Sequence, residues 1–229
     1  MRSPGETLSR RLMPRAMVSL SRVSWPARTG AVARRRLHRR GRVELYFAFD
    51  DPCSAVAALD LERRLAARAV TLALRPVVHR GVAEDPATAD KRRYAIEDAR
   101  RLAARGGLEL GRTEPLAAEA CAFLAAWTTS APARAPRLRF ATRALRALWF
   151  DPDPPELSPA GYAPLWREQL GGEPPAQPEE APVRRNERSM RVHLMYDTPA
   201  AWVHGRWYFA HDRPRQICER LDELGWSER

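Results

Sequence analysis

Residues 196–213 read Tyr-Asp-Thr-Pro-Ala-Ala-Trp-Val-His-Gly-Arg-Trp-Tyr-Phe-Ala-His-Asp-Arg, the punctuation of a hairpin set between a turn and a helix. Pro199 marks the turn. A short run of strand formers follows and breaks at His204-Gly205, a tight hairpin turn. A second strand returns from it, and His211-Asp212-Arg213-Pro214 then has the order of a helix start. A closing helix is expected over residues 212–224, with Asp212 as its cap.

A hairpin this small must join a sheet formed elsewhere. Residues 43–54, Val-Glu-Leu-Tyr-Phe-Ala-Phe-Asp-Asp-Pro-Cys-Ser, supply its start. Residues 43–49 alternate and then run apolar, which reads as a buried strand. Asp51 followed by Pro52 is an N-cap with proline at the first helical position, and Val56, Leu59, Leu61 and Leu65 form the buried stripe of that helix. Residues 69–78 form a second strand, stopped as a ladder by Pro76. Strand, helix and strand in this order make a right-handed parallel crossover.

Residues 87–171 change character. Helices are expected over residues 89–104, 116–128, 138–150 and 158–170, separated by Gly106-Gly107, Pro132 with Pro136, and the Asp-Pro run from Asp151. Residues 171–182 are rich in Pro and Glu and read as a connector, and 186–195 as a short helix. The fold class is therefore α/β. It divides into a disordered Arg-rich tail (1–42), a first β-α-β part (43–80), an all-helical insertion with linker (81–182) and a second part (183–229).

Charge is informative once located. The chain of 229 residues has a formal net charge of +11. Residues 1–42 hold 12 arginines against one acid, Glu6, whereas residues 43–229 hold 27 basic and 27 acidic groups. The basic character belongs to the tail, which argues against a nucleic-acid-binding body. Cys53, Cys121 and Cys218 are widely spaced and form no C-x-x-C, so neither a disulfide framework nor a structural metal is expected. The same spacing excludes dithiol oxidoreductase chemistry. Cys121 and Cys218 are expected as core thiols. His79, His193, His204 and His211 show no metal spacing either. No apolar run approaches a membrane span, and a cytoplasmic compartment is expected.

These pieces, in this order over residues 43–226, resemble the DsbA-like thioredoxin branch, most of all 2-hydroxychromene-2-carboxylate isomerase and the kappa-class glutathione transferases. The resemblance rests on Phe49-Asp50-Asp51-Pro52-Cys53-Ser54, on Leu74-Arg75-Pro76-Val77, on Lys91, Tyr94 and Asp98, and on Asn186, Pro199, Gly205, Asp212 and Arg213. It implies a thioredoxin-like fold interrupted by a helical domain, a cis Thr198–Pro199 bond, glutathione as cofactor, a small aromatic or conjugated substrate and room for a homodimer. Glutathione would lie along Thr198, Pro199 and Ala200, with Lys91, Asp212 and Arg213 on its charged ends. The departures fall at the chemistry: Asp51 stands where the family has serine, Cys53 where it has tyrosine, Asp197 for glycine and Ala200 for threonine.

The residues themselves leave alternatives open. Asp51 is either a helix cap or a general base whose pKa burial raises. Cys53 is either a first-turn thiol with lowered pKa or a small apolar filler, and Ser54 joins them as the third candidate catalytic residue. Asp212 is a cap or a ligand for an amino group, and Lys91 a solvated helix residue or a carboxylate-binding cation. Two functions follow: a glutathione-dependent isomerase or transferase, or a catalytically degenerate module that binds a thiol ligand or a partner.

Overall fold

The computed structural model describes residues 25–81 and 86–228. Its first element is a helix, α1 (Trp25–Arg36), followed by β1 (Gly41–Phe47), α2 (Pro52–Leu65) and β2 (Val70–Pro76). Helices α3 (Thr88–Arg105), α4 (Ala122–Ser130, entered through a 3-10 turn at Glu119–Cys121), α5 (Arg134–Trp149), α6 (Pro159–Leu170) and α7 (Ala181–Val192) follow. The chain then closes with β3 (Ala200–Val203), β4 (Arg206–Phe209) and α8 (Pro214–Glu223). Between β2 and β3 the described residues form helices and no strand.

The sheet order is β2-β1-β3-β4. β1 runs parallel to β2 from Gly41↔Val70 to Phe47↔Pro76 and antiparallel to β3, with Leu45 opposite Ala201. β3 and β4 form the expected hairpin, turning at His204 (φ 42°) and Gly205 (φ 94°), so both turn residues adopt the left-handed backbone that glycine bears most easily. Alternation along β1 sends Val43, Leu45 and Phe47 into the large core and Tyr46 and Ala48 into a smaller one under Met190 of α7.

The large core is continuous from the sheet into the helical segment. It joins Phe47 and Leu61 to Leu124, Phe140, Leu145 and Trp166, all buried. The Trp149 indole, fully buried, donates to the Phe49 carbonyl at 2.8 Å and fixes α5 to the turn before α2. Past Pro76, which lacks an N–H, α7 completes the ladder: Asn186 donates to the Pro76 carbonyl, while Glu187 accepts the N–H groups of Val78 and His79.

Three sequence boundaries move. The expected tail falls outside the described residues over 1–24, but residues 25–36 are helical and Ala31 is buried against the body. β1 ends at Phe47 rather than 49, because the Ala48 N–H turns away to the Ser54 hydroxyl. α7 begins at Ala181, inside the expected connector, since Pro182 sits in a first turn where its missing N–H costs nothing.

Candidate functional site

The strand β1 runs out beneath the N-terminus of α2, and Asp51 caps that helix with extended backbone (φ −112°, ψ 111°). Its Oδ1 accepts the Cys53 N–H at 3.0 Å. Its Oδ2 accepts the Ser54 hydroxyl at 2.6 Å and the Thr198 hydroxyl at 3.0 Å. The Ser54 oxygen in turn receives the Ala48 N–H at 3.2 Å, so the serine proton is directed at Asp51. Asp51, Ser54 and Thr198 are all buried. The prolyl turn therefore meets the start of α2, and the Thr198–Pro199 peptide is cis.

Asp50 faces the other way and takes both terminal nitrogens of Arg80, at 2.7 and 3.0 Å. Such a fork is the geometry in which guanidinium and carboxylate bind most strongly. Burial pushes the Asp51 carboxyl above its ordinary value; the Arg80 charge and the Ser54 and Thr198 hydroxyls pull back against it, while Asp50 adds to the rise. Arg80 sits above its own ordinary value, because Asp51 and Asp50 outweigh the opposing effect of burial.

Of the two readings left open for Cys53, its surroundings favour the filler. Its thiol is buried and donates to the Ala95 carbonyl of α3 at 3.5 Å. Burial first, then the carboxylates of Asp51, Asp98, Asp212 and Asp197, push its pKa up rather than down. The helix dipole loses to desolvation and four acids, so the group is a thiol and not a nucleophilic thiolate. Cys121 is likewise buried and pushed up to about 12, chiefly by burial. Cys218 is only partly buried, contrary to the core position expected for it.

The other candidates are spread out. Pro199 and Ala200 are buried, Ala200 pairing with both Tyr46 and Phe209 and the Pro199 carbonyl accepting the Ala210 N–H. Lys91 is exposed in the first turn of α3, one turn before Ala95. Asp212 is exposed beside His211 and does not cap α8; Arg213 holds the cap position and makes no side-chain bond there. Asp212 instead lines a groove of about 480 Å³ with Val56, Leu59, Leu102 and His211, and neither Asp51 nor Thr198 reaches it. Sequence reading missed two partners. Asp197 holds the Thr198 N–H at 2.8 Å, and Arg80 has no local pattern to announce it.

No family model and no curated protein matches the sequence. Solved structures do. The backbone is similar to that of a 2-hydroxychromene-2-carboxylate isomerase, with a TM-score of 0.56 at 16% identity over 80% of this chain and 95% of that one. It is also similar to a probable DsbA oxidoreductase from Streptomyces coelicolor, with a TM-score of 0.61 at 18% identity over 81% and 90%. The chain has a DsbA-like thioredoxin fold. Within that DsbA-like fold, a carboxylate occupies the end of α2 and no described cysteine has a disulfide partner.

Proposed function

We propose that this chain is a thioredoxin-fold binding protein without thiol chemistry at the start of α2. The observation that carries the reading is the Asp51 carboxylate, which consumes the Cys53 N–H and two hydroxyls at the place where an incoming anion would need them. A ligand thiolate brought there would also meet a like charge, which disfavours ionisation of both. The Cys53 thiol is buried and held protonated.

The test uses the full chain with glutathione. The wild type should show no glutathione-dependent isomerisation, conjugation or disulfide exchange, and no rise in melting temperature with glutathione. Asp51→Ser keeps a cap but removes the like charge, so it should restore a thermal shift. Glutathione-dependent turnover by the wild type, lost in Asp51→Asn, would overturn the reading.

A second reading is a glutathione-dependent isomerase or transferase acting on a small aromatic or conjugated substrate. One observation favours it: the groove of about 480 Å³ borders Asp212, to which the resemblance assigns the glutamyl amino group. Saturable binding of glutathione that is lost in Asp212→Ala but kept in Asp51→Ser would favour it over the first.

A further inference from the structure

Helix α5 presents Arg139, Arg143 and Arg146 at spacings of four and three residues, which stacks them on one face over about 10 Å of helix. All three are exposed. Elsewhere in the body Asp60 holds Arg63 and Arg64, Asp50 holds Arg80, and Asp222 with Glu228 holds Arg68, whereas Arg185, Arg188 and Arg191 of α7 take part in no ion pair among the described residues. None of the ion pairs among the described residues uses Arg139, Arg143 or Arg146.

Three hollows meet at Arg146. One of about 420 Å³ lies between α2 and α5, with Leu59, Glu62 and Thr142 in its walls and all three arginines at its rim. One of about 390 Å³ continues over Ala147, Phe150 and Leu165. The third is the groove of about 480 Å³ that adds Val56, Leu102 and Leu108. Apolar side chains thus flank the stripe in the second and third hollows, while the first is walled mainly by polar groups.

Several carboxylates border the same hollows without forming an ion pair with the stripe. Glu62 is half-buried, takes the Thr142 hydroxyl at 3.4 Å, and lies within the electrostatic reach of Arg146 and Arg143. Burial raises its pKa, against the pull of the Thr142 hydroxyl and of Arg146 and Arg143. Asp60 is committed to Arg63 and Arg64, Glu168 accepts from Gln169, and the Asp151 carboxylate is bonded to the Asp153 N–H. Asp212 borders only the third hollow.

We propose that the trough centred on Arg146 binds a small amphipathic anion, with its carboxylate or phosphate on the Arg139–Arg143–Arg146 stripe and its apolar body in the adjoining hollow. Arginine's planar fork matches either oxyanion, and apolar walls beside it exclude water from the pair. The proposed site is independent of the start of α2, because Glu62 lies about 16 Å along the helix from Asp51.

The test is calorimetric titration of the full chain with laurate below its micelle-forming concentration. Dodecanol and dodecyltrimethylammonium serve as neutral and cationic controls, and inorganic phosphate as an anion without a body. Laurate should bind one to one and the controls should not compete. Arg143→Glu/Arg146→Glu should weaken laurate at least about tenfold, as loss of a charge-assisted bond implies. The Lys double variant should bind within a few fold, and Arg34→Glu/Arg35→Glu/Arg36→Glu should bind as the wild type. Equal binding by the charge-reversed α5 variant with unchanged melting temperature overturns the proposal. So does equal binding of the cationic control. Sedimentation with anionic phospholipid vesicles in the absence of saturable laurate binding also overturns it, since it shows only attraction to a charged surface.

Discussion

At the N-terminus of α2 a carboxylate is buried and accepts three donors from its own chain, while in the last turn of the same helix a half-buried carboxylate looks across at arginines with no ion-pair partner among the described residues. Both regions contain ionisable groups beside a helix that carries much of the core. They differ in what tertiary packing leaves over. At Asp51 nothing is left over: each surrounding donor is spent, so the cluster holds structure together. At Arg146 the guanidinium donors remain unspent beside apolar walls, and unspent donors next to a hollow are what a ligand needs. A helix N-terminus is the conventional place to seek an anion site, and here it is the place already filled.

The sharpest way to break this contrast is to delete each end. Asp51→Ala leaves the Ser54 and Thr198 hydroxyls and the Cys53 N–H buried without an acceptor, and should cost about 3 kcal/mol of stability. Urea unfolding monitored by tryptophan fluorescence measures it, and a loss below about 1 kcal/mol would mean the cluster is not structural. Asp51→Asn separates charge from shape. A carboxyl whose folded pKa lies above its unfolded value makes the native state bind the extra proton, so stability falls as pH rises from the unfolded value through the folded one. Both the Asn and the Ala variants should lose that decline, and Asp51→Ala alone should also show the loss from its unpaired hydroxyls and N–H.

His204 supplies the opposite slope. Its ring stacks on Trp226 with centroids 4.8 Å apart, and burial, then Arg34 and Arg220, lowers its pKa to about 4. A histidine that stays neutral in the fold contributes stability above its unfolded value of 6.5, and that contribution disappears as pH falls through about 4. Allowing for partial solvent screening, about 2 kcal/mol should be lost over that interval. His204→Asn should remove this loss in the same titration of unfolding free energy.

Thiol labelling tests the buried end without mutation. With a chromogenic disulfide reagent at pH 8, Cys218 should react first, and Cys53 and Cys121 only as the protein opens. Peptide mapping after brief exposure identifies the modified residue. Cys53 reacting faster in the native than in the unfolded protein would refute its assignment as a protonated filler. The smallest effect belongs to the open end: Arg143→Ala/Arg146→Ala should change stability by no more than about 0.5 kcal/mol, because exposed unpaired arginines contribute little.

Local punctuation was readable from residue order. Asp51-Pro52 as cap and first-turn proline, His204-Gly205 as a tight hairpin turn, and the apolar alternation of β1 all came out as expected, because each depends on residues within a few positions of one another. The start of α7 was misjudged for the same reason in reverse: a Pro-rich run looks like a connector until one sees that Pro182 stands where a helix tolerates it. The folded α1 was also missed, since its burial depends on Ala31 meeting a body formed later in the chain.

What the residue order determined by itself was the set of short-range choices: where strands and helices begin, and which face of each is apolar. What only the tertiary structure decided was the state of each polar group. The Thr198 hydroxyl reaches Asp51 across 147 positions, and Trp149 reaches Phe49 across 100. Proton affinity depends on burial and on charges brought close in space, and neither is a function of neighbours along the chain. The same three arginines of α5 are visible as a spacing in the sequence, yet their lack of partners and the hollow beside them exist only once α2, α5 and α6 have packed.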